Sequence, residues 1–120
     1  MRDDLKTKNV IVNLTFEFAL DIITYCDRLE QNYKYNLARQ LFRSGTSIGA
    51  NVREAQNAES KADFIHKFKI AAKEMDETDY WLQLCLKSYD LENTQILLSK
   101  LEDISKIITK IIATSKKQLR

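Results

Sequence analysis

Apolar residues recur along most of the chain at spacings of three and four, the period of a helix that buries one face. Leu14, Phe18, Ile22, Tyr25 and Leu29 form one such row, and Phe16, Ala19, Ile23 and Cys26 form a second beside it. A first helix is therefore expected over residues 14–31, buried over a wide arc, with Asn13 as its N-cap. Residues 1–12 read as an arm. Asp3, Asp4, Lys6 and Lys8 are polar, and the β-branched run Val10-Ile11-Val12 predicts an extended segment lying on the rest. A short polar link leads to a second helix over 33–57, with Leu37, Leu41, Ile48, Val52 and Ala55 inward. Ser60, with Asp63 three residues on, starts a third helix over 60–88, whose inward row is Phe64, Phe68, Ala71, Met75, Thr78, Leu82 and Cys85. Asn93 caps a fourth over 94–117, with Ile96, Leu97, Leu101, Ile104, Ile107, Ile108 and Ile111 inside. Four helices on short links predict a single domain over 1–120, an all-α, up-down-up-down antiparallel four-helix bundle.

Composition supports that reading. The chain has no proline and only two glycines, which argues against an all-β fold and for long helices. Its 120 residues suffice for one core, and 44% apolar with 30% charged residues is a globular balance. No apolar run approaches the length of a membrane span, and Met1-Arg2-Asp3-Asp4 does not open a signal peptide, so a cytoplasmic protein is expected. Cys26 and Cys85 lie within helical apolar rows and read as buried, reduced thiols.

The inventory for chemistry is thin. A di-metal carboxylate bundle needs two Glu-x-x-His pairs, and the one histidine, His66, supplies a single Asp-x-x-His with Asp63. There is no Gly-x-Ser-x-Gly elbow, no base beside either cysteine and no glycine loop to cradle phosphate. Neither an enzyme nor a bound cofactor or metal is expected. The acidic group Glu74, Asp76, Glu77 and Asp79 reads as a solvated or salt-bridged helix face, one pair of which answers arginines on the second helix.

That second helix carries the informative pattern. Gln40, Ser44, Ser47, Asn51 and Glu54 repeat at spacings 4, 3, 4, 3 and form a polar stripe beside the apolar one. Gly45 and Gly49 sit among Ser, Thr and Ala. A glycine within a helix costs about 1 kcal/mol against alanine, and its use is the close approach of a neighbour. That neighbour is either another helix of the same chain or a second subunit. Arg39, Arg43 and Arg53 lie along a third stripe with Thr46 and Ala50. The net charge is +2, but residues 32–58 hold four basic residues and one acidic one. The ridge has three possible counterparts: nucleic-acid phosphates, the carboxylates of Glu74 and Glu77, or a second subunit.

The run from Gln40 through Gly45-Thr46-Ser47-Ile48-Gly49-Ala50-Asn51-Val52-Arg53-Glu54-Ala55 resembles the signature of bacterial four-helix-bundle proteins encoded within intervening sequences of 23S rRNA genes. Ser60 to Phe68, Glu74 to Leu82, Asn9 to Val12 and Phe16 to Leu20 match its other parts, so the resemblance covers nearly the whole chain. Many members carry glycine where this chain has Ala55. The resemblance implies an antiparallel bundle without enzyme activity, commonly a homo-oligomeric ring of five. Relatives include accessory proteins of diversity-generating retroelements, so it also implies RNA or a reverse-transcriptase-type protein as candidate partners. The expected function is a non-catalytic oligomeric bundle, either an RNA- or ribonucleoprotein-associated accessory module or a protein-binding scaffold without nucleic-acid contact.

Overall fold

The computed structural model describes the backbone of residues 2–89 and 91–119, and side chains for residues 10–89 and 91–119. It is built of four helices: α1 (Arg2–Gln31), α2 (Tyr35–Ala55), α3 (Lys61–Ser88) and α4 (Thr94–Leu119). Among the described residues α1 packs its backbone alongside α2 and α4, and α3 does the same. The result is a helical bundle 49 × 21 × 19 Å in extent, matching the roughly 42 Å length of a helix the size of α3.

The expected extended arm is corrected, because residues 2–12 continue α1. Ile11 falls seven residues before Phe18 and eleven before Ile22, so it prolongs the inward row. It is fully buried, and that burial outweighs the β preference of its branched side chain. Asn13 is accordingly an exposed mid-helix residue and caps nothing. The side chains of Asp3, Asp4, Lys6 and Lys8 lie outside the described residues.

The turn between α1 and α2 is a Schellman ending. The Lys34 N–H donates to the Leu29 carbonyl at 2.8 Å and the Tyr33 N–H to the Glu30 carbonyl at 2.9 Å. Tyr33 holds the left-handed position, with φ 63°, which costs a residue bearing a Cβ about 1–2 kcal/mol. At the start of α3, the Ser60 hydroxyl accepts from the Asp63 N–H at 3.1 Å. Asn93 precedes α4 in the left-handed region, φ 73°, and its carbonyl accepts the Leu97 N–H at 3.0 Å.

Phe18, Ile22, Leu41, Ile48, Phe68, Met75, Leu82, Leu101 and Ile108 are all buried. Two expectations fail at the rim. Ile96 is 54% exposed, since Leu97, Leu101, Ile104 and Ile108 set the inward face and Ile96 projects a helical step away from it. In the second row of α1, Cys26 is buried and Ala19 half-buried, whereas Phe16 and Ile23 are exposed. Among the described residues, α1 lies alongside α2 and α4, and neither covers that outer arc.

Candidate functional site

The polar stripe of α2 is its seam with α3. The Ser44 and Thr78 hydroxyls, both fully buried, are hydrogen-bonded across the two helices at 3.0 Å. Thr78 also lies 2.8 Å from the Glu74 carbonyl. Ser47 donates to the Arg43 carbonyl at 2.5 Å and Asn51 to the Ser47 carbonyl at 2.9 Å, so both half-buried side chains are satisfied within α2. Glu54 meets Lys67 at 3.7 Å, and Gln40, at the other end, is exposed.

Both glycines form the seam on the opposite flank, against α1. A Cβ added at Gly45 would lie 2.8 Å and 2.9 Å from two carbons of Ile22; one added at Gly49 would lie 3.1 Å from the Thr15 carbonyl oxygen. The neighbour that the glycines admit is therefore a helix of the same chain. Thr15 is fully buried there, its hydroxyl satisfied by the Ile11 carbonyl at 2.8 Å.

The three arginines do not share one fate. Arg43 donates to Glu74 at 3.0 Å and to Glu77, which also accepts from the Trp81 indole N–H at 3.3 Å. Arg53 leaves this line and lies over the Phe16 ring of α1, 5.5 Å from its centroid. Arg39 is exposed. The middle of the ridge is thus neutralised by α3.

The Arg43 hydrogen bond holds the Glu77 carboxyl below its ordinary value of 4.5, and the Trp81 N–H adds to the effect. A depressed carboxyl stabilises the fold above the ordinary value, and that contribution is lost as pH falls through the lowered one. Glu77→Gln should therefore remove part of the stability difference between pH 7 and pH 3 seen in denaturant titration. The effect should stay below about 1 kcal/mol because the pair is open to solvent. An unchanged acid slope would remove Glu77 from the account.

Cys26 and Cys85 are both buried and free. Burial, and then the neighbouring Cys85, pushes the Cys26 thiol up to about 12; burial raises Cys85 as well. Tyr25, also raised by burial, lies 2.6 Å from the Thr94 hydroxyl, which donates to the Leu91 carbonyl at 2.8 Å. These groups are protonated at neutral pH and poorly suited to nucleophilic work. Among the described residues, no three His, Cys, Asp or Glu side chains gather as a metal site. None of their helices is long and apolar enough to cross a membrane. His66 is exposed on α3.

Two surfaces were not anticipated. The first is apolar. Phe16 (52% exposed), Leu20 (50%) and Ile23 run along the outside of α1. A depression of about 270 Å³ beside them is lined by Val12, Phe16, Ala19, Thr46, Gly49, Ala50 and Arg53. The exposed Phe42 stands one turn before Thr46 on the same flank. The second surface is the Tyr33–Leu37 corner at one end of the bundle. A signal for the first was present in α1, which carries more apolar positions than one inward face can hold.

Residues 7–110 match the family of 23S rRNA-intervening sequence proteins. The chain belongs to that family. A crystal structure at 1.70 Å resolution, of a protein of unknown function from the S23 ribosomal protein family of Bacteroides thetaiotaomicron VPI-5482, is similar. The two share 38% identity and a TM-score of 0.86, over 89% of this chain and 98% of that one. No curated protein matches the chain. In this member of the intervening-sequence family, the run from Gln40 to Ala55 is a packing seam on both flanks of α2. Ala55 is buried as the last residue of α2.

Proposed function

We propose that the protein is a non-catalytic, self-assembling scaffold, an up-down-up-down antiparallel bundle that seats a second copy on the outer flank of α1 and α2. The helix directions are supported by pairs that cross the seams in opposite order. Gly45 faces Ile22 while Gly49 faces Thr15, and Arg43 meets Glu74 while Glu54 meets Lys67. Likewise Asp21 meets Lys100 while Arg28 meets Glu92, and Lys61 at the start of α3 meets Gln118 at the end of α4.

The exposed Phe16, Leu20, Ile23 and Phe42 carry the assembly reading. Scattered surface hydrophobes need no explanation, but a contiguous row beside an apolar depression is characteristic of an interaction site. A head-to-tail contact closes into a ring when its rotation allows, and the ring of five implied by the family resemblance is one such closure. The absence of catalysis is supported by the buried, protonated thiols and by the engagement of Glu74 and Glu77 with Arg43. Unpaired thiols suit a reducing compartment such as the cytoplasm.

Light scattering at high micromolar concentration tests this directly. Wild type should be an oligomer, and Leu20→Glu should dissociate it with helical content by circular dichroism unchanged. A wild type that stays monomeric would sink the proposal.

The second reading, an accessory module for RNA or for a ribonucleoprotein such as a reverse-transcriptase-type partner, keeps one support. No Asp or Glu occurs from Gln31 through Arg53, while that stretch carries Lys34, Arg39, Arg43 and Arg53. With Arg43 held by two carboxylates, the arginine stripe is a weaker phosphate track than its spacing promises.

A further inference from the structure

Residues 31–36 are all exposed, and two of them are tyrosines. Tyr33 is 79% and Tyr35 52% exposed, with ring centroids 6.5 Å apart and planes at 67°. Among the described residues, neither hydroxyl is hydrogen-bonded. The turn itself has no use for an aromatic at position 33. A Schellman ending favours glycine in the left-handed position, yet Tyr33 occupies it with φ 63°. A strained residue whose side chain stands in water, supporting no core, points to a role at the surface.

The surroundings are polar and basic. The rings flank Lys34, with Asn32 and Asn36 on either side, and the exposed Arg39 follows Tyr35 by one helical turn. A concavity of about 290 Å³ is lined by Tyr33, Lys34, Tyr35, Asn36 and Leu37. Lys34 reaches over the Tyr89 ring, 4.8 Å from its centroid. Glu30, in the last turn of α1, is the nearest carboxylate in sequence; on the other side none follows before Glu54.

We propose that this corner binds single-stranded nucleic acid, with unpaired bases stacked on Tyr33 and on Tyr35 and the phosphates met by Lys34 and Arg39. The choice over a protein partner rests on what surrounds the rings. The core of a protein interface is an apolar patch, of the kind found on the α1–α2 flank, whereas these tyrosines stand among Asn and Lys. Stacking uses the face of a ring and needs only a nearby cation for the backbone. The proposal goes beyond the scaffold reading and does not depend on it.

The test is a fluorescence-anisotropy titration of the full chain with a short labelled RNA of mixed sequence, single-stranded and as a duplex. Wild type should prefer the single strand and show a log–log salt slope of about −1.4, two phosphates at about −0.7 each. Tyr33→Gly should weaken binding about ten-fold, the scale of one lost base stack. The same variant should melt no earlier than wild type, because glycine suits the left-handed position. Tyr35→Ser should weaken binding similarly, and Tyr33→Phe should restore it. Equal binding by Tyr33→Gly, equal affinity for the duplex, or no binding by wild type at low salt would each overturn the proposal. So would a change in oligomeric size in Tyr33→Gly, which would make the corner a contact between copies. The scaffold test reads size at Leu20, so the two ideas fail separately.

Discussion

Gly45→Leu should leave the chain largely unfolded, with most of its helical circular dichroism lost at room temperature. The Cβ alone would sit 2.8 Å from Cγ1 and 2.9 Å from Cγ2 of Ile22. Ile22 is fully buried and branched at its own Cβ, so it has little rotamer freedom with which to yield. Gly45→Ala sets a helix-propensity gain of about 1 kcal/mol against overpacking of about 1–3 kcal/mol, and should be mildly destabilising. Leucine adds three more carbons to a seam already too tight for one. A cost above about 3 kcal/mol is expected, a large part of the 5–15 kcal/mol that typically holds a domain. Gly49→Ala should be the mildest of the three, because its Cβ would press on the Thr15 carbonyl oxygen only at 3.1 Å and a small backbone shift relieves it. Thermal melts of the three variants give the order. A Gly45→Leu protein that melts near wild type but dissociates by light scattering would return the glycine to a subunit contact.

That seam shows what was legible in the sequence. Two glycines four apart within a helical pattern announced a close approach, and spacing alone left open which neighbour approached. Only the register of α1 against α2 placed Ile22 and Thr15 beneath them. The same holds for the stripe of Arg39, Arg43 and Arg53. Helical spacing put them on one face, but Arg43 reaches α3 and Arg53 reaches Phe16 on α1, because long side chains answer to charges and rings on adjacent helices. The inward rows were readable because a buried face repeats every three to four residues whatever the neighbour. The outer row of α1 was misread for the same reason, since periodicity marks an apolar face without saying that anything covers it. The extended reading of Val10-Ile11-Val12 failed because local β preference was weighed before the continuation of the inward row to Ile11.

Phe68→Ala should be the most damaging truncation on α3, costing about 3–5 kcal/mol. Phe68 is fully exposed to the core and closed to solvent, and its ring stacks on that of Phe64 with centroids 4.8 Å apart. Truncation removes the transfer free energy of the ring and the stacking contact, and it leaves a cavity that four packed helices close only in part. For a chain of this size, between the values for smaller and larger domains, each kcal/mol moves Tm by about 3–5 °C, so a fall of roughly 10–25 °C is expected. Phe68→Leu keeps most of the volume and should cost less than about 1.5 kcal/mol. Neither change touches the outer flank of α1 and α2. Below its Tm, Phe68→Ala should therefore scatter light as an assembly of wild-type size, the reverse of Leu20→Glu, which should dissociate while melting normally as a helical chain. A loss under about 0.5 kcal/mol in Phe68→Ala would show that the stacked pair is not core, since surface changes lie in that range. Loss of assembly in a still-folded Phe68→Ala would mean that the α1–α2 flank is not where copies meet.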